Sequence, residues 1–346
     1  MTVKIGINGF GRIGRLAFRR IFELQEKGGE AADIEVTAIN DLTSPQALAY
    51  LLKYDSTHGV FKHVDGTPVD VKATDSAIVV DGKEYPVYAE RDARDLKWVA
   101  NDGVEFVLEC TGFYTSAEKS QAHLDAGAKK VLISAPAKDE TTPTVVFGVN
   151  HDILKKADNI VSAGSCTTNS MAAMVKLLND KWGIKAGFMT TIHAYTNGQS
   201  LVDVKCRDLR RSRAAAQNII PTTTGAAKAM KLVMPSLEGK LHGQSVRVPV
   251  PNVSMVDLTA VLGKKTSKEE LNETFVKASK ESLKGIMLVD FDERVSTDFM
   301  SCAYSSIVAA DLTQVICGDM IKVMAWYDNE WGYSKRLVEM AGFISK

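Results

Sequence analysis

The six residues Gly9-Phe10-Gly11-Arg12-Ile13-Gly14 constrain this chain more than any other stretch. They follow VKIGIN, residues 3–8, which reads as a short strand, and they precede RLAFRRIFEL, which reads as a helix. GxGxxG at a strand–helix joint is the opening turn of a dinucleotide-binding unit. Gly9 permits the tight turn, Gly11 lets backbone approach a pyrophosphate, and Gly14 allows close helix–strand packing. The helix start offers free N–H groups to the anion. A second strand, Ile34–Asn40, ends at Asp41, where such a fold binds the adenosine ribose hydroxyls. Its distance from Gly14 exceeds the usual ~20 residues, and the insertion EKGGEAAD accounts for the excess. An aspartate there opposes a 2′-phosphate, so NAD is expected rather than NADP.

Further strand-like runs follow at Ala77–Val80, Lys83–Val87, Glu105–Glu109 and Lys130–Ser134, with a helical pattern over Ser116–Ala126. This alternation predicts an α/β fold with a Rossmann-type, doubly wound, mostly parallel sheet, whose ligand lies at the carboxyl ends of the strands. Thr111-Gly112 and Ser134-Ala135 fall at such ends. From about residue 187 the texture changes to strands in succession: GFMTTIHAYT, SVRVPVPNVSMVDLTAVLG, CAYSSIVAADLTQVICG and MIKVMAWYDNEWGYS. One helix, SKEELNETFVKASKESLKG, intervenes, and Ser267 with Glu270 reads as a capping box. The second half therefore predicts an α+β domain with a mixed, largely antiparallel sheet. A length of 346 residues agrees with two domains.

Lysine plus arginine and aspartate plus glutamate number 42 each, so no overall charge favours nucleic acid or an anionic membrane. No apolar stretch approaches the ~18 residues of a membrane span, and MTVKIGINGFGRIGR has no signal-peptide h-region. Five scattered cysteines form neither a disulfide framework nor a CxxC metal pair, which predicts a reducing, cytoplasmic setting and no metal.

Cys166 stands out among them. In VSAGSCTTNSMAAMVKLL, Met171, Met174, Val175 and Leu178 recur at helical spacing, and Cys166 lies at the first turn, off that stripe. Free N–H groups and the helix dipole at that position favour thiolate over thiol, as a nucleophile requires. A small buried residue that happens to begin a helix is the alternative. His193, in TTIHAYT, shares strand parity with Thr191 and Tyr195. A lone strand histidine is more often a satisfied polar residue than a base, and only proximity to Cys166 decides. A nicotinamide fold with an activated cysteine suits aldehyde oxidation through a thiohemiacetal and a thioester.

The stretches INGFGRIGR, YDSTHGVF, SCTTN, TIHAYTN, RAAAQNIIPTTTGAAKA, RVPVPNVSMVDL and WYDNEWGYS occur in order along the whole chain. Through them the sequence closely resembles the phosphorylating glyceraldehyde-3-phosphate dehydrogenases. The resemblance implies conversion of D-glyceraldehyde 3-phosphate, NAD⁺ and inorganic phosphate to 1,3-bisphosphoglycerate and NADH, as in glycolysis and gluconeogenesis. It implies Cys166 as nucleophile and His193 as base. Thr196 and Arg247 match the site for the substrate's phosphate; Ser165, Thr167, Thr224 and Gly225 match that for the attacking phosphate. Asn329 matches the group that binds the nicotinamide carboxamide, and Arg12, Ile13, Asp41 and Thr111 match cofactor contacts. The loop Thr196–Gln217 matches one that reaches a neighbouring subunit, so a homotetramer is implied. Its Arg207, Arg210, Arg211 and Arg213, interleaved with Asp203 and Asp208, read as subunit-interface ion pairs. The NAD-binding domain is expected at 1–165, completed by a C-terminal helix at 329–346, with the catalytic domain at 166–328.

Departures from the family pattern are equally specific. Ala163-Gly164-Ser165 replace Asn-Ala-Ser before the nucleophile, and Ser170 replaces a second cysteine, so no disulfide through residue 170 is expected. Gly198 stands where many bacterial members have Asp, beside the substrate-phosphate site. Val204-Lys205 replace Leu-Pro, the one hint of NADP tolerance, which Asp41 opposes. Two other functions compete: an erythrose-4-phosphate dehydrogenase that releases its acyl group to water, and a secondary binding role as adhesin or RNA-binding protein. The TTTGAA segment favours phosphate as acceptor, and balanced charge gives the binding roles no positive support.

Overall fold

A computed structural model describes residues 2–28 and 33–345. Within the insertion EKGGEAAD, residues 29–32 lie outside the described residues. The chain divides into two compact units: residues up to Phe147, Asp152–Gly164 and from Ser334 onward, and then Gly148–His151 with Ser165–Tyr333.

The first unit is built on an eight-stranded sheet in the order β3-β4-β5-β2-β1-β6-β7-β8. These strands are Val71–Ala73 (β3), Ala77–Val80 (β4), Lys83–Tyr88 (β5), Ile34–Asn40 (β2), Val3–Asn8 (β1), Phe106–Glu109 (β6), Lys130–Ile133 (β7) and Ile160–Ser162 (β8). From β5 to β8 every pairing is parallel, and chain order reverses between β1 and β6. That reversal is the switch point of a doubly wound sheet, where ligands bind. The mostly parallel expectation needs one refinement: β3, β4 and β5 pair antiparallel. Asp81 and Gly82 join β4 to β5 with φ of 47° and 81°, the hand that a two-residue hairpin requires. Helix α1 (Arg12–Lys27) follows β1, α2 (Pro45–Lys53) follows β2, and α3 (Trp98–Asp102) and α4 (Ala117–Asp125) flank β6.

The second unit holds an eight-stranded mixed sheet in the order β10-β11-β9-β12-β16-β14-β13, with β15 paired to β16 off that path. The strands are Ile220–Thr222 (β10), Leu241–Val248 (β11), Ile184–Ala194 (β9), Ser254–Leu262 (β12), Met320–Tyr327 (β16), Ser306–Ala309 (β14), Met287–Asp290 (β13) and Gln314–Ile316 (β15). Only β9–β11 and β13–β14 are parallel. Strands β12 and β16 alternate buried with less buried residues, as period-two patterning dictates. Helix α5 (Cys166–Trp182) packs on β12, β14 and β16, α6 (Ala226–Val233) on β11, and α7 (Lys268–Lys280) on β13. Met171, Met174, Val175 and Leu178 of α5 are fully buried. At α7, Ser267 Oγ accepts from Glu270 N at 3.2 Å, but the reciprocal half of the expected capping box is missing. Glu270 turns instead to Thr266 Oγ1, at 3.0 Å, and Lys181 Nζ, at 3.0 Å. Helix α8 (Trp331–Ile344) closes the chain.

Candidate active site

The glycine loop of the first unit is fixed by contacts that exclude a side chain. Gly9 has φ of +89°, and a Cβ there would lie 2.7 Å from Thr111 N. A Cβ on Gly14 would meet the Gly9 carbonyl oxygen at 2.2 Å and Ile7 Cγ2 at 3.2 Å. In front of Gly11 nothing lies within 4 Å, so that backbone is open to a ligand. Asp41 holds the loop to the end of β2, accepting from Phe10 N at 2.8 Å and from Thr43 N at 2.9 Å. Gly9, Gly11, Asp41, Glu90, Thr111 and Tyr114 line one cavity of about 610 Å³. Its open glycine backbone, helix N-terminus and ribose-height carboxylate fit the adenosine and pyrophosphate of a dinucleotide.

Arg12, Ile13, Gly14 and Ser134 do not line that cavity. Arg12 grips Asp55 with both guanidinium nitrogens, at 2.5 and 3.2 Å. Burial opposes ionisation of Asp55, yet the His58 and Thr57 N–H groups and Arg12 pull its pKa down to about 2. Sequence reasoning missed the floor beneath this site. Buried Glu109 accepts from Thr111 N at 2.7 Å, from Asn8 Nδ2 at 2.6 Å, and pairs with His123 Nε2 at 3.0 Å. The carboxylate thereby fixes the turn after β6.

In the second unit one row across the sheet brings the candidate site residues together. Register pairs Arg247 of β11 with His193 of β9, and Ser254 of β12 with Tyr327 of β16. Ser254 Oγ accepts from Ala194 N at 3.1 Å, which joins the two halves of the row. Cys166 opens α5, where Ser165 Oγ caps the helix by accepting from Thr168 N at 3.0 Å. The Cys166 sulfur lies 3.5 Å from His193 Nε2. Proximity, which sequence could not measure, is thus observed. Arg247 Nη1 lies 2.8 Å from His193 Nδ1, and β11 is an inner strand rather than an edge.

Tyr327, buried behind the pair, joins Thr167 Oγ1 at 2.9 Å and Thr191 Oγ1 at 2.8 Å through its hydroxyl. Thr191 is the parity partner of His193, as its place on the strand predicts. Ser254 Oγ also donates to Asn329 Oδ1 at 2.9 Å and orients that amide. Directly before Ser254, Val253 has φ of +68°, a strained value for a β-branched residue. Asn252 before it donates to Asp328 Oδ2 at 2.8 Å, so hydrogen bonds on both sides hold the strain. Tyr327, Ser254 and Asn252 were missed by sequence reasoning, although all lie in motifs quoted above.

Opposing influences act on the Cys166 thiol. Burial pushes the Cys166 thiol up, against the opposing pull of Arg247 and of the Thr167 hydroxyl and N–H. Burial, then the Arg247 charge, brings His193 down to about 3.

Thr196 and Gly225 are exposed, and Thr224 Oγ1 accepts from Ala226 N at 3.2 Å at the start of α6. No hydrogen bond joins these three to Cys166, His193 or Arg247. Gly198 has room for a side chain, because a Cβ would meet only Thr196 Oγ1, at 3.7 Å. Two of the arginines expected at a subunit interface make contacts within the chain. Arg213 Nε bonds Asp203 at 2.7 Å, and Arg211 Nε bonds Thr222 Oγ1 at 2.9 Å with Asp208 at 3.8 Å. Among the described residues no helix is long and apolar enough to cross a membrane.

Comparison with known proteins fits this geometry. The NAD binding domain of glyceraldehyde 3-phosphate dehydrogenase matches residues 3–117, and its C-terminal domain matches residues 165–329. The chain belongs to the glyceraldehyde-3-phosphate dehydrogenase family. It is 56% identical to the glyceraldehyde-3-phosphate dehydrogenase of Lactobacillus delbrueckii subsp. bulgaricus, over 98% of this chain and 97% of that one. It is 50% identical to that of Geobacillus stearothermophilus, over 100% and 99%, and 49% identical to that of Mycobacterium avium, over 100% and 99%. Glyceraldehyde-3-phosphate dehydrogenases are NAD-dependent oxidoreductases, and the cavity beside Gly9 and Asp41 lies in the family's NAD-binding domain.

Proposed function

We propose that the protein oxidises D-glyceraldehyde 3-phosphate with NAD⁺ and inorganic phosphate to 1,3-bisphosphoglycerate, through an acyl-enzyme on Cys166. The observation that carries this is the 3.5 Å approach of Cys166 Sγ to His193 Nε2 in a chain of this family. NAD⁺, when bound, supplies the hydride acceptor. Gly9, Gly11, Asp41 and Thr111 would hold its adenosine half, and Asn329 would hold its carboxamide.

The Cys166 proton moves through His193. His193 Nε2 takes the thiol proton as sulfur bonds the aldehyde carbon, then passes it to the new oxyanion. As hydride leaves that carbon, His193 recovers the hydroxyl proton and a thioester remains on Cys166. A phosphate oxygen then attacks the thioester carbon and expels the Cys166 thiolate, which regains its proton. Arg247 with Thr196 receives the substrate's phosphate, its planar fork suiting two phosphate oxygens. Ser165, Thr167, Thr224 and Gly225 receive the attacking phosphate. Tyr327 fixes Thr167 from behind.

A cytoplasmic homotetramer belongs to the same proposal. The loop after β9 exposes Leu201 at 84% and Leu209 at 79%, apolar surface suited to a subunit contact. The test is NADH formation with and without inorganic phosphate, for wild type and Cys166→Ser. Phosphate-dependent turnover in wild type is expected, falling at least ~10³-fold in the variant. Turnover with erythrose 4-phosphate that ignores inorganic phosphate would overturn substrate and acceptor together.

A further inference from the structure

We propose that Glu109 is a positioning residue for the cofactor: its acceptor-only carboxylate orients a buried relay that sets both walls of the dinucleotide cavity. The inference rests on the reading that this cavity takes the adenosine half of NAD⁺, and it adds the device that shapes it.

Three strand ends meet side by side at the switch point. Asn8 closes β1, Asn40 closes β2 and Glu109 closes β6, with Asn8 in register with both of the others. All three are buried. Glu109 receives four donors: Thr111 N, the Thr111 hydroxyl, Asn8 Nδ2 and His123 Nε2. An ionised carboxylate has about four lone-pair sites and nothing to donate. Asn8 must therefore turn its NH₂ group toward Glu109 and its oxygen away. That oxygen accepts from Asn40 Nδ2 at 2.7 Å, which leaves Asn40 Oδ1 to accept from Glu90 N at 2.9 Å. Asn40 Nδ2 also donates to the Glu90 carbonyl oxygen at 2.9 Å, so one amide clamps both polar groups of that backbone. A second arm runs the other way. Phe113 N donates to Thr111 Oγ1 at 3.0 Å, and that hydroxyl donates to Glu109.

Donors along both arms point toward one carboxylate, an arrangement in which each hydrogen bond polarises the next. The arms end on Glu90 and Phe113, which line the cavity together with Asn8, Asn40 and Thr111. Glu109 does not line it, so the charge acts through Thr111 and the two asparagines. Among the described residues His123 Nδ1 is buried with no hydrogen-bond partner, so the polar contacts of that ring run through Nε2 to the relay. Glu109→Gln keeps the shape but presents an NH₂ group to the Asn8 NH₂ group. Reversing the Asn8 amide only moves the conflict on, setting NH₂ against the Asn40 NH₂ group and loosening the clamp on Glu90. The empty cavity can relax around that mismatch, whereas NAD⁺ needs both walls in place. The cost falls on cofactor binding.

The test is calorimetric binding of ADP-ribose, which carries the adenosine and pyrophosphate without nicotinamide, beside steady-state KM for NAD⁺. Wild type is expected to bind ADP-ribose, and failure to do so would overturn the reading of the cavity itself. Glu109→Gln should bind ADP-ribose about tenfold more weakly and raise KM for NAD⁺ by a similar factor, with kcat moved less than ~twofold. Asn8→Asp alone sets two carboxylates together and should weaken binding at least as much. Combined, the two substitutions move the charge one residue along the relay. The introduced glutamine donates to the introduced aspartate, which still accepts from Asn40. His123 Nε2 lies 3.4 Å from the Asn8 amide nitrogen, within reach of the moved charge. The double variant should recover to within about threefold of wild type, a coupling that lost packing cannot produce. Where Glu109→Gln alone does not fold, the double variant decides. ADP-ribose bound equally by wild type and Glu109→Gln would overturn the relay and leave the cavity reading intact. A double variant that fails to fold, or binds no better than either single one, would do the same.

Discussion

Gly9, Gly11 and Gly14 fall within six consecutive residues, and the backbone around them enforces their identity. Arg247, His193, Ser254 and Tyr327 come from four strands and meet only because each strand pairs in one register. The first region is local geometry; the second is long-range alignment. Local geometry leaves its mark on residue type, since only glycine closes at Gly14 without a clash. Alignment leaves no such mark, because a histidine or tyrosine in a strand looks alike in any register.

The largest expected effect lies in the aligned region. His193→Asn removes the group 3.5 Å from the Cys166 sulfur and keeps the ring's approximate volume. Steady-state kinetics should show kcat/KM falling by about 10²–10⁴-fold, the usual worth of a positioned base. NAD⁺ affinity, measured by calorimetry, should not change. A comparable loss of NAD⁺ binding would mean that the two regions are not functionally separate.

The next effect contrasts two glycines of one loop. Gly14→Ala drives a methyl into the Gly9 carbonyl, against a contact of 2.2 Å that cannot relax without moving β1 or α1. Thermal unfolding should register a loss of about 1–3 kcal/mol, the range for overpacking, together with weaker NAD⁺ binding. Gly11→Ala meets open space, so it should fold as wild type and lose only cofactor affinity. Equal stability of the two variants would break the claim that local sterics dictate this loop.

Tyr327→Phe tests the row at its far end. It strips the partner from the Thr167 and Thr191 hydroxyls in a buried setting, at 2.9 and 2.8 Å. About 1–3 kcal/mol of stability should be lost, the cost of stranding buried polar groups. Turnover should fall less than in His193→Asn, because Tyr327 supports Thr167 rather than the reacting atoms.

Much of the fold was legible in these terms. Strand–turn–helix order and glycine spacing led to the parallel sheet, and the succession of strands after residue 187 led to the mixed one. Cys166 could be singled out by its position off the α5 stripe. Its ionisation could not, because desolvation depends on what packs around the sulfur. His193 and Arg247 needed the family resemblance, since their pairing spans 54 residues and lives in the β9–β11 register. Ser254 and Tyr327 escaped even that, lying in quoted motifs with nothing local to mark them. The charged loop is legible only in part for a similar reason. Alternating Arg and Asp shows that ion pairs form but not whether the partner lies in the same chain, and Arg213 finds Asp203 ten residues away. Glu270 was free to pair with Lys181, 89 residues earlier, so the second half of the capping box never formed.

The smallest effect sharpens the comparison most. Ser170 stands one helical turn after Cys166, fully buried, with its hydroxyl bonded to nothing. Three residues before it, the Thr167 hydroxyl is satisfied by the aligned row; Ser170 points where no row reaches. Ser170→Ala keeps the Cβ, removes a buried polar atom that lacks a partner, and substitutes a better helix former. Stability should therefore rise by about 0.5–1 kcal/mol, with kcat/KM unchanged. Chemical denaturation reads so small a difference as a shift in midpoint at constant slope. A loss of stability would show that the Ser170 hydroxyl has a partner in solution, and that alignment extends one turn deeper into α5 than the row from Arg247 to Tyr327.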